Sequence, residues 1–176
     1  NPTISCGNQV VEVLLQHQKM SGASAQKEVL QLFEKVKLPT PKITFSKFPH
    51  EISGGQMQRV MIAMAIACKP ILLIADEPTT ALDVTVQKEI ILLLKALQKE
   101  YGMSILFISH DLSLVHSIAD RIIVMYQGRI VEQGAANDIF EHPKEAYTRA
   151  LIASRPSTKT RLRNLPTIKD FVEQSV

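Results

Sequence analysis

One stretch limits the folds open to this chain more than any other: Ile71 to Ala75, ILLIA, followed directly by Asp76, Glu77 and Pro78. Five apolar residues in a row show no amphipathic period, so they read as a short strand buried on both faces, as in the middle of a parallel sheet. Past Asp83, Val86, Ile90, Leu93, Leu94 and Leu97 form a helical stripe, with Lys88, Lys95 and Lys99 on the wet face. Asp83 is placed to cap that helix and Tyr101-Gly102 closes it. Ser104 to Ser109 is a second apolar strand, ending at His110. Strand, helix, strand is a right-handed βαβ unit with parallel strands. If the two strands are neighbours, their carboxyl ends lie side by side and His110 shares a crevice with Asp76 and Glu77. That end of an open α/β sheet is where ligands bind. A metal, a reacting group or merely solvated acids all fit the pair, and a His at a strand end is as readily structural.

At 176 residues, 45% hydrophobic and 21% charged, the chain suits one ordinary domain or part of one. The net charge of +3 is slight and no dense Lys/Arg block interrupts the body, so charge gives no support for nucleic-acid binding. Cys6 and Cys68 match no zinc spacing and read as reduced thiols. No signal peptide is expected from these residues, and no apolar run in them approaches the roughly 20 residues that cross a bilayer. Asn1-Pro2-Thr3 reads as the middle of a loop and the chain as a fragment.

Before the strand, Val10, Val11, Val13, Leu14 and Leu15 predict a short helix. Ser24 to Val36 predicts another, with Val29, Leu30, Leu32, Phe33 and Val36 on its apolar side and Ser24 as a possible cap. Pro39 and Pro41 end it, and TPKITFSKFPHE reads as a linker. Then comes Ile52-Ser53-Gly54-Gly55-Gln56-Met57-Gln58-Arg59-Val60 and a nearly all-apolar helix. Two glycines at a helix mouth remove Cβ atoms where a backbone or ligand must come close. The free N–H groups and the positive dipole end make such a mouth an anion site, and the Ser53 hydroxyl can add a bond to a phosphate. The alternative is Ser53 as a plain N-cap with flexible glycines behind it.

With these residues in hand, a resemblance is plain. ISGGQMQRV resembles the signature motif of the ATP-binding-cassette (ABC) ATPases, and ADEPTTALD resembles their Walker B motif and D-loop. His110-Asp111 after an apolar strand resembles their switch, or H-loop. RVMIAMAI and DEPTTALDVTVQ look most like the oligopeptide/dipeptide importer subunits, a subgroup that, like this chain at Met64, lacks an Arg found in other branches. The match runs roughly from Asn1 to Pro156.

Beyond His110, Leu112 to Ala119 reads as a helix. Arg121 to Tyr126, a Gln127-Gly128 turn and Arg129 to Gly134 read as a hairpin. Ala136 to Glu141 and Glu145 to Ala153 read as helices. This part also resembles the importer subunits, although Glu145 and Ala146 stand before Tyr147-Thr148 where relatives often carry His-Pro. Some relatives bear a cysteine cluster here for an iron–sulfur centre; no Cys follows Cys68, so none is expected. No GxxxxGK[ST] phosphate loop occurs, and no glycine is followed by Lys. In family terms the phosphate loop, the glutamine loop and the adenine-stacking aromatic would lie upstream of Asn1.

The resemblance implies an α/β fold, the carboxyl-terminal part of a P-loop NTPase of ABC type, with a parallel sheet core and an α-helical signature subdomain. Residues 1–69 would be the helical subdomain, 70–154 the second half of the catalytic core and 155–176 a basic, Pro-containing tail. It implies ATP and Mg²⁺ as ligands. Asp76 would hold Mg²⁺ through water, Glu77 would polarise the attacking water and His110 would steady the γ-phosphate. Ser53, Gly54, Gly55 and Gln56 would close over the nucleotide of an opposite subunit, and Asp83 would lie at the seam. Implied partners are a second ABC ATPase domain arranged head to tail, identical or not, transmembrane permease subunits and, indirectly, an extracytoplasmic solute-binding protein. The location would be peripheral, on the cytoplasmic face of the inner membrane. The function would be ATP hydrolysis energising a peptide importer, the fragment alone being inactive. A non-hydrolytic module lending its signature face to another chain is the alternative.

Overall fold

The computed structural model describes residues 1–80 and 82–154, and these fall into two compact units divided after Ile108. In the first, four helices precede the sheet: α1 (Cys6–Gln18), α2 (Gly22–Lys35), α3 (Pro41–Ser46) and α4 (Gly54–Ile66). Their shared core holds Val10, Leu14, Val29, Phe33, Val36 and Ile66, each at most 1% exposed. Val13 and Leu15 turn away from it, Leu15 being 42% exposed.

Two expectations for this region change. Ser21, not Ser24, is the N-cap of α2 and accepts from the Ser24 amide at 3.4 Å. The stretch read as a linker is largely helical: Pro41 sits in the first turn of α3, where its fixed φ suits a helix and its missing N–H is not needed. A short 3-10 turn, Pro49–Glu51, follows. The chain reverses through left-handed residues at Lys37 (φ 57°) and Thr40 (φ 46°), and the Thr44 hydroxyl donates to the Pro39 carbonyl at 2.9 Å.

The sheet of this unit is a parallel pair, β1 (Leu72–Asp76) and β2 (Ser104–Ile108), joined by α5 (Val84–Tyr101). Leu72 stands opposite Ser104 and Asp76 opposite Ile108, so the strands end level. Burial on both faces does not hold for β1. Leu73 and Ala75 are buried, whereas Ile71, Leu72 and Ile74 are 88%, 50% and 61% exposed. An apolar run records that a strand lacks polar side chains, not how many layers cover it. Here β1 pairs with β2 alone, and one face of the pair is open among the described residues. α5 buries Ile90, Ile91, Leu93, Leu94 and Leu97 and ends at Gly102, whose φ of 62° suits glycine. Lys35 at the end of α2 pairs with Glu100 of α5 at 2.6 Å and lies 4.9 Å from the Tyr101 ring centre.

The second unit begins at Ser109 and is described to residue 154. It contains α6 (Leu112–Ile118), an antiparallel hairpin of β3 (Arg121–Tyr126) and β4 (Arg129–Ala135), α7 (Ala136–Glu141) and α8 (Ala146–Ala153). Gln127 (φ 48°) and Gly128 (φ 76°) make the two-residue turn, with both φ positive as a tight hairpin requires. Ile122, Val124, Ala136 and Ile139 form its core, with Val115, Phe140, Tyr147 and Leu151 packed around them. The Glu132 carboxylate ties β4 to the start of α8, accepting from the amides of Lys144 at 2.8 Å and Glu145 at 3.2 Å. The tail read at 155–176 lies outside the described residues.

Candidate functional site

The acid pair sits where the strands stop. Asp76 is the last residue of β1 and is exposed. Glu77 follows with φ 46°, a left-handed conformation uncommon for a residue with a side chain, and its amide donates to the Ile108 carbonyl at 2.9 Å. That bond extends the ladder one rung past β1, so the turn away from the sheet happens at Glu77 itself. The Thr80 hydroxyl donates to Glu77 Oε2 at 3.0 Å and the Thr80 amide to the Glu77 carbonyl at 3.2 Å. A backbone outlier and a tethered carboxylate at a strand end are features that cluster at reacting sites.

Among the described residues no three His, Cys, Asp or Glu side chains converge to cage a metal. One exposed carboxylate at the ligand-binding end of a sheet suits Mg²⁺, which takes one or two carboxylates and completes its shell with waters and phosphate oxygens.

The diglycine mouth opens α4. Ser53 is its N-cap: Ser53 Oγ accepts from the Gln56 amide at 3.3 Å, and Gln56 Oε1 accepts from the Ser53 amide at 3.0 Å, a reciprocal capping box. The plain N-cap reading of Ser53 is therefore realised, but it does not exhaust the residue. A hydroxyl that accepts one bond keeps its O–H to donate. The Gly54 and Gly55 amides have no carbonyl one turn back inside the helix, and Ser53 and Gly54 are exposed.

Asp83 caps α5, its Oδ1 accepting from the amides of Thr85 at 3.0 Å and Val86 at 2.9 Å. Gln87 Nε2 reaches back to the Thr79 carbonyl at 3.2 Å, which ties α5 to the loop after the acid pair. Arg59, on α4, was legible only as part of a motif. Its guanidinium is buried, and donates to the Val36 carbonyl at 2.9 Å and to Glu89 Oε2 at 2.8 Å. His110 belongs to the second unit, two residues past Ile108. Its neighbours fold tightly: Ser109 Oγ accepts from the Asp111 amide at 3.0 Å, and Asp111 caps α6 through the Ser113 amide at 2.7 Å.

Cys6 and Cys68 are free thiols. Burial pushes the Cys6 thiol above its ordinary value, which keeps it protonated and unreactive. No helix among the described residues is long and apolar enough to cross a membrane.

A parallel βαβ core ending in an acid pair, beside a Ser53-capped helix, is the arrangement this chain shares with ATP-binding-cassette structures. The ABC transporter family model matches residues 2–80, and the model of the oligopeptide/dipeptide transporter C-terminal region matches residues 131–175. The chain thus carries an ABC transporter segment followed by an oligopeptide/dipeptide transporter C-terminal segment. It is 52% identical, over 91% of its length, to the oligopeptide transport ATP-binding protein OppD of Bacillus subtilis. It is 49% identical, over 89% of its length, to the glutathione import ATP-binding protein GsiA of Escherichia coli K12. The chain spans 45% of the first relative and 25% of the second. Among solved structures it resembles a dimeric bacterial ABC transporter cassette at a TM-score of 0.67 and 30% identity, covering 77% of this chain and 58% of that one. It also resembles cbiO1 of Clostridium perfringens, part of the transporter complex cbiONQ, at 0.69 and 31%, covering 79% and 54%.

Proposed function

We propose that this chain supplies the signature helix and the second half of the catalytic core of an ATP-hydrolysing subunit that energises an importer of oligopeptides or similar short peptides. The observation that carries the reading is the turn at Glu77: an acid pair held at the level ends of two parallel strands, with the second acid tethered by Thr80. The names of the relatives, oligopeptide and glutathione import ATP-binding proteins, support the substrate class.

In this reading Asp76 would hold Mg²⁺, which would supply neutralisation of phosphate charge. Glu77 accepts hydrogen bonds from the water that attacks the γ-phosphate, and takes up its proton as the bond forms. His110 donates to a γ-phosphate oxygen. Ser53, Gly54, Gly55 and Gln56 present O–H and N–H donors to ATP held by a second ATPase domain, and Asp83 lies at the seam between the two. We assign residues 1–69 to the helical signature subdomain, 70–154 to the catalytic core and 155–176 to the tail. The partners are the second ATPase domain, transmembrane permease subunits and, through them, a solute-binding protein; the place of action is the cytoplasmic face of the membrane. That one related cassette is dimeric and another part of a transporter complex supports the first two partners.

The test is Mg²⁺-dependent ATP hydrolysis by the complete protein, alone and reconstituted with its membrane subunits. Hydrolysis stimulated by the assembly and a peptide substrate is expected. Hydrolysis absent from the complete protein but present after adding a separate phosphate-loop chain would instead favour the non-hydrolytic module.

A further inference from the structure

The first turns of α4 and α5 abut. A Cβ at Gly55 would stand 2.8 Å from Val86 Cγ1, closer than carbon atoms pack, and one at Gly54 would stand 3.5 Å from Leu82 Cδ2, in ordinary contact. About one turn further along both helices, Arg59 of α4 meets Glu89 of α5 at 2.8 Å. The two contacts therefore stack along one helix pair. The Arg59 side chain is only 10% exposed, so its charge depends on Glu89 and on the Val36 carbonyl that closes α2.

We propose that these contacts form a latch that makes the diglycine mouth and the Asp83 turn one rigid body, with Val86 and Glu89 as positioning residues for the reaction. The inference rests on the ATPase reading above. Ser53 and Asp83 cap the two abutting helix ends, so any change in the spacing of α4 and α5 displaces both mouths together. Gly55 is a glycine because Val86 of its own chain occupies the space of a side chain, and not only because a ligand must approach. Glu89, whose side chain is 56% exposed, holds the register from the other side by pinning Arg59.

The experiment compares Gly55→Ala with Gly55→Ala/Val86→Ala in the complete protein, by ATPase kinetics and by urea unfolding. An added methyl displaces the mouth, and a shift of an ångström at a reacting site lowers turnover by about 10²-fold. Gly55→Ala should therefore lose kcat far more than it changes KM for ATP, and removing Val86 Cγ1 in the same chain should restore most of the loss. Glu89→Ala should lower kcat with KM held, and Glu89→Gln should recover part of it. Full activity in Gly55→Ala, or a folded Gly55→Ala that the second substitution does not rescue, would overturn the latch. If Gly55→Ala fails to fold, recovery of folded protein by Val86→Ala supports the latch, and no recovery contradicts it. If the wild-type protein hydrolyses no ATP, the functional reading fails by itself, while the unfolding comparison still decides the contact.

Discussion

The amide of Glu77 donates to the carbonyl of Ile108 at 2.9 Å, one rung beyond the end of β1. The rung binds the residue that turns out of the sheet to the residue that ends the neighbouring strand. The left-handed φ of 46° at Glu77 costs of order 1–3 kcal/mol, and the ladder bond and the two bonds with Thr80 hold it there.

Thr80 is thus expected to aim the Glu77 carboxylate. Thr80→Val removes the hydroxyl and keeps the volume. Turnover should fall about three- to tenfold, the scale of roughly 1 kcal/mol, with ATP affinity unchanged. Steady-state kinetics beside a nucleotide-binding titration separates the two, and weaker binding at constant turnover would move Thr80 out of this role.

Asp83 satisfies two orphan amides of α5. Asp83→Ala should cost about 1 kcal/mol of stability, while Asp83→Asn, also a good cap, should cost only a fraction of that. Urea midpoints of the complete protein read the difference. Equal losses would assign the effect to charge and not to capping.

Glu132 gives the second unit an acid sensitivity. Partial burial pushes its carboxyl up, but the neighbouring Thr148 hydroxyl and the bonds from the Lys144 and Glu145 amides outweigh this and hold it below the ordinary carboxylate value. A carboxyl lowered in the folded state adds stability above its unfolded value of about 4.3, and that stability is lost as the pH falls through the folded value. Hydrogen-exchange protection at the start of α8 should therefore decline below about pH 4. In Glu132→Gln it should be lower at neutral pH and nearly independent of acid.

The periodic elements were legible because apolar spacing reports them directly: α5, the parallel strands and the hairpin with its Gln127-Gly128 turn follow from pattern and turn chemistry. The Asp83 cap follows from residue type and place. Four features were not legible, each for a physical reason. The exposed face of β1 depends on what packs over Leu72 and Ile74, which apolarity alone does not state. α3 hid because two prolines read as breakers, although Pro41 serves as a helix start. The left-handed Glu77 and the Gly55–Val86 approach come from tertiary packing between segments that no local pattern connects.

Glu77 is the proposed base for the water that attacks ATP. Its most direct test is Glu77→Gln in the complete protein, measured as ATP turnover together with ATP binding. Turnover should fall by about 10²-fold or more with nucleotide still bound. Wild-type turnover in Glu77→Gln would contradict it.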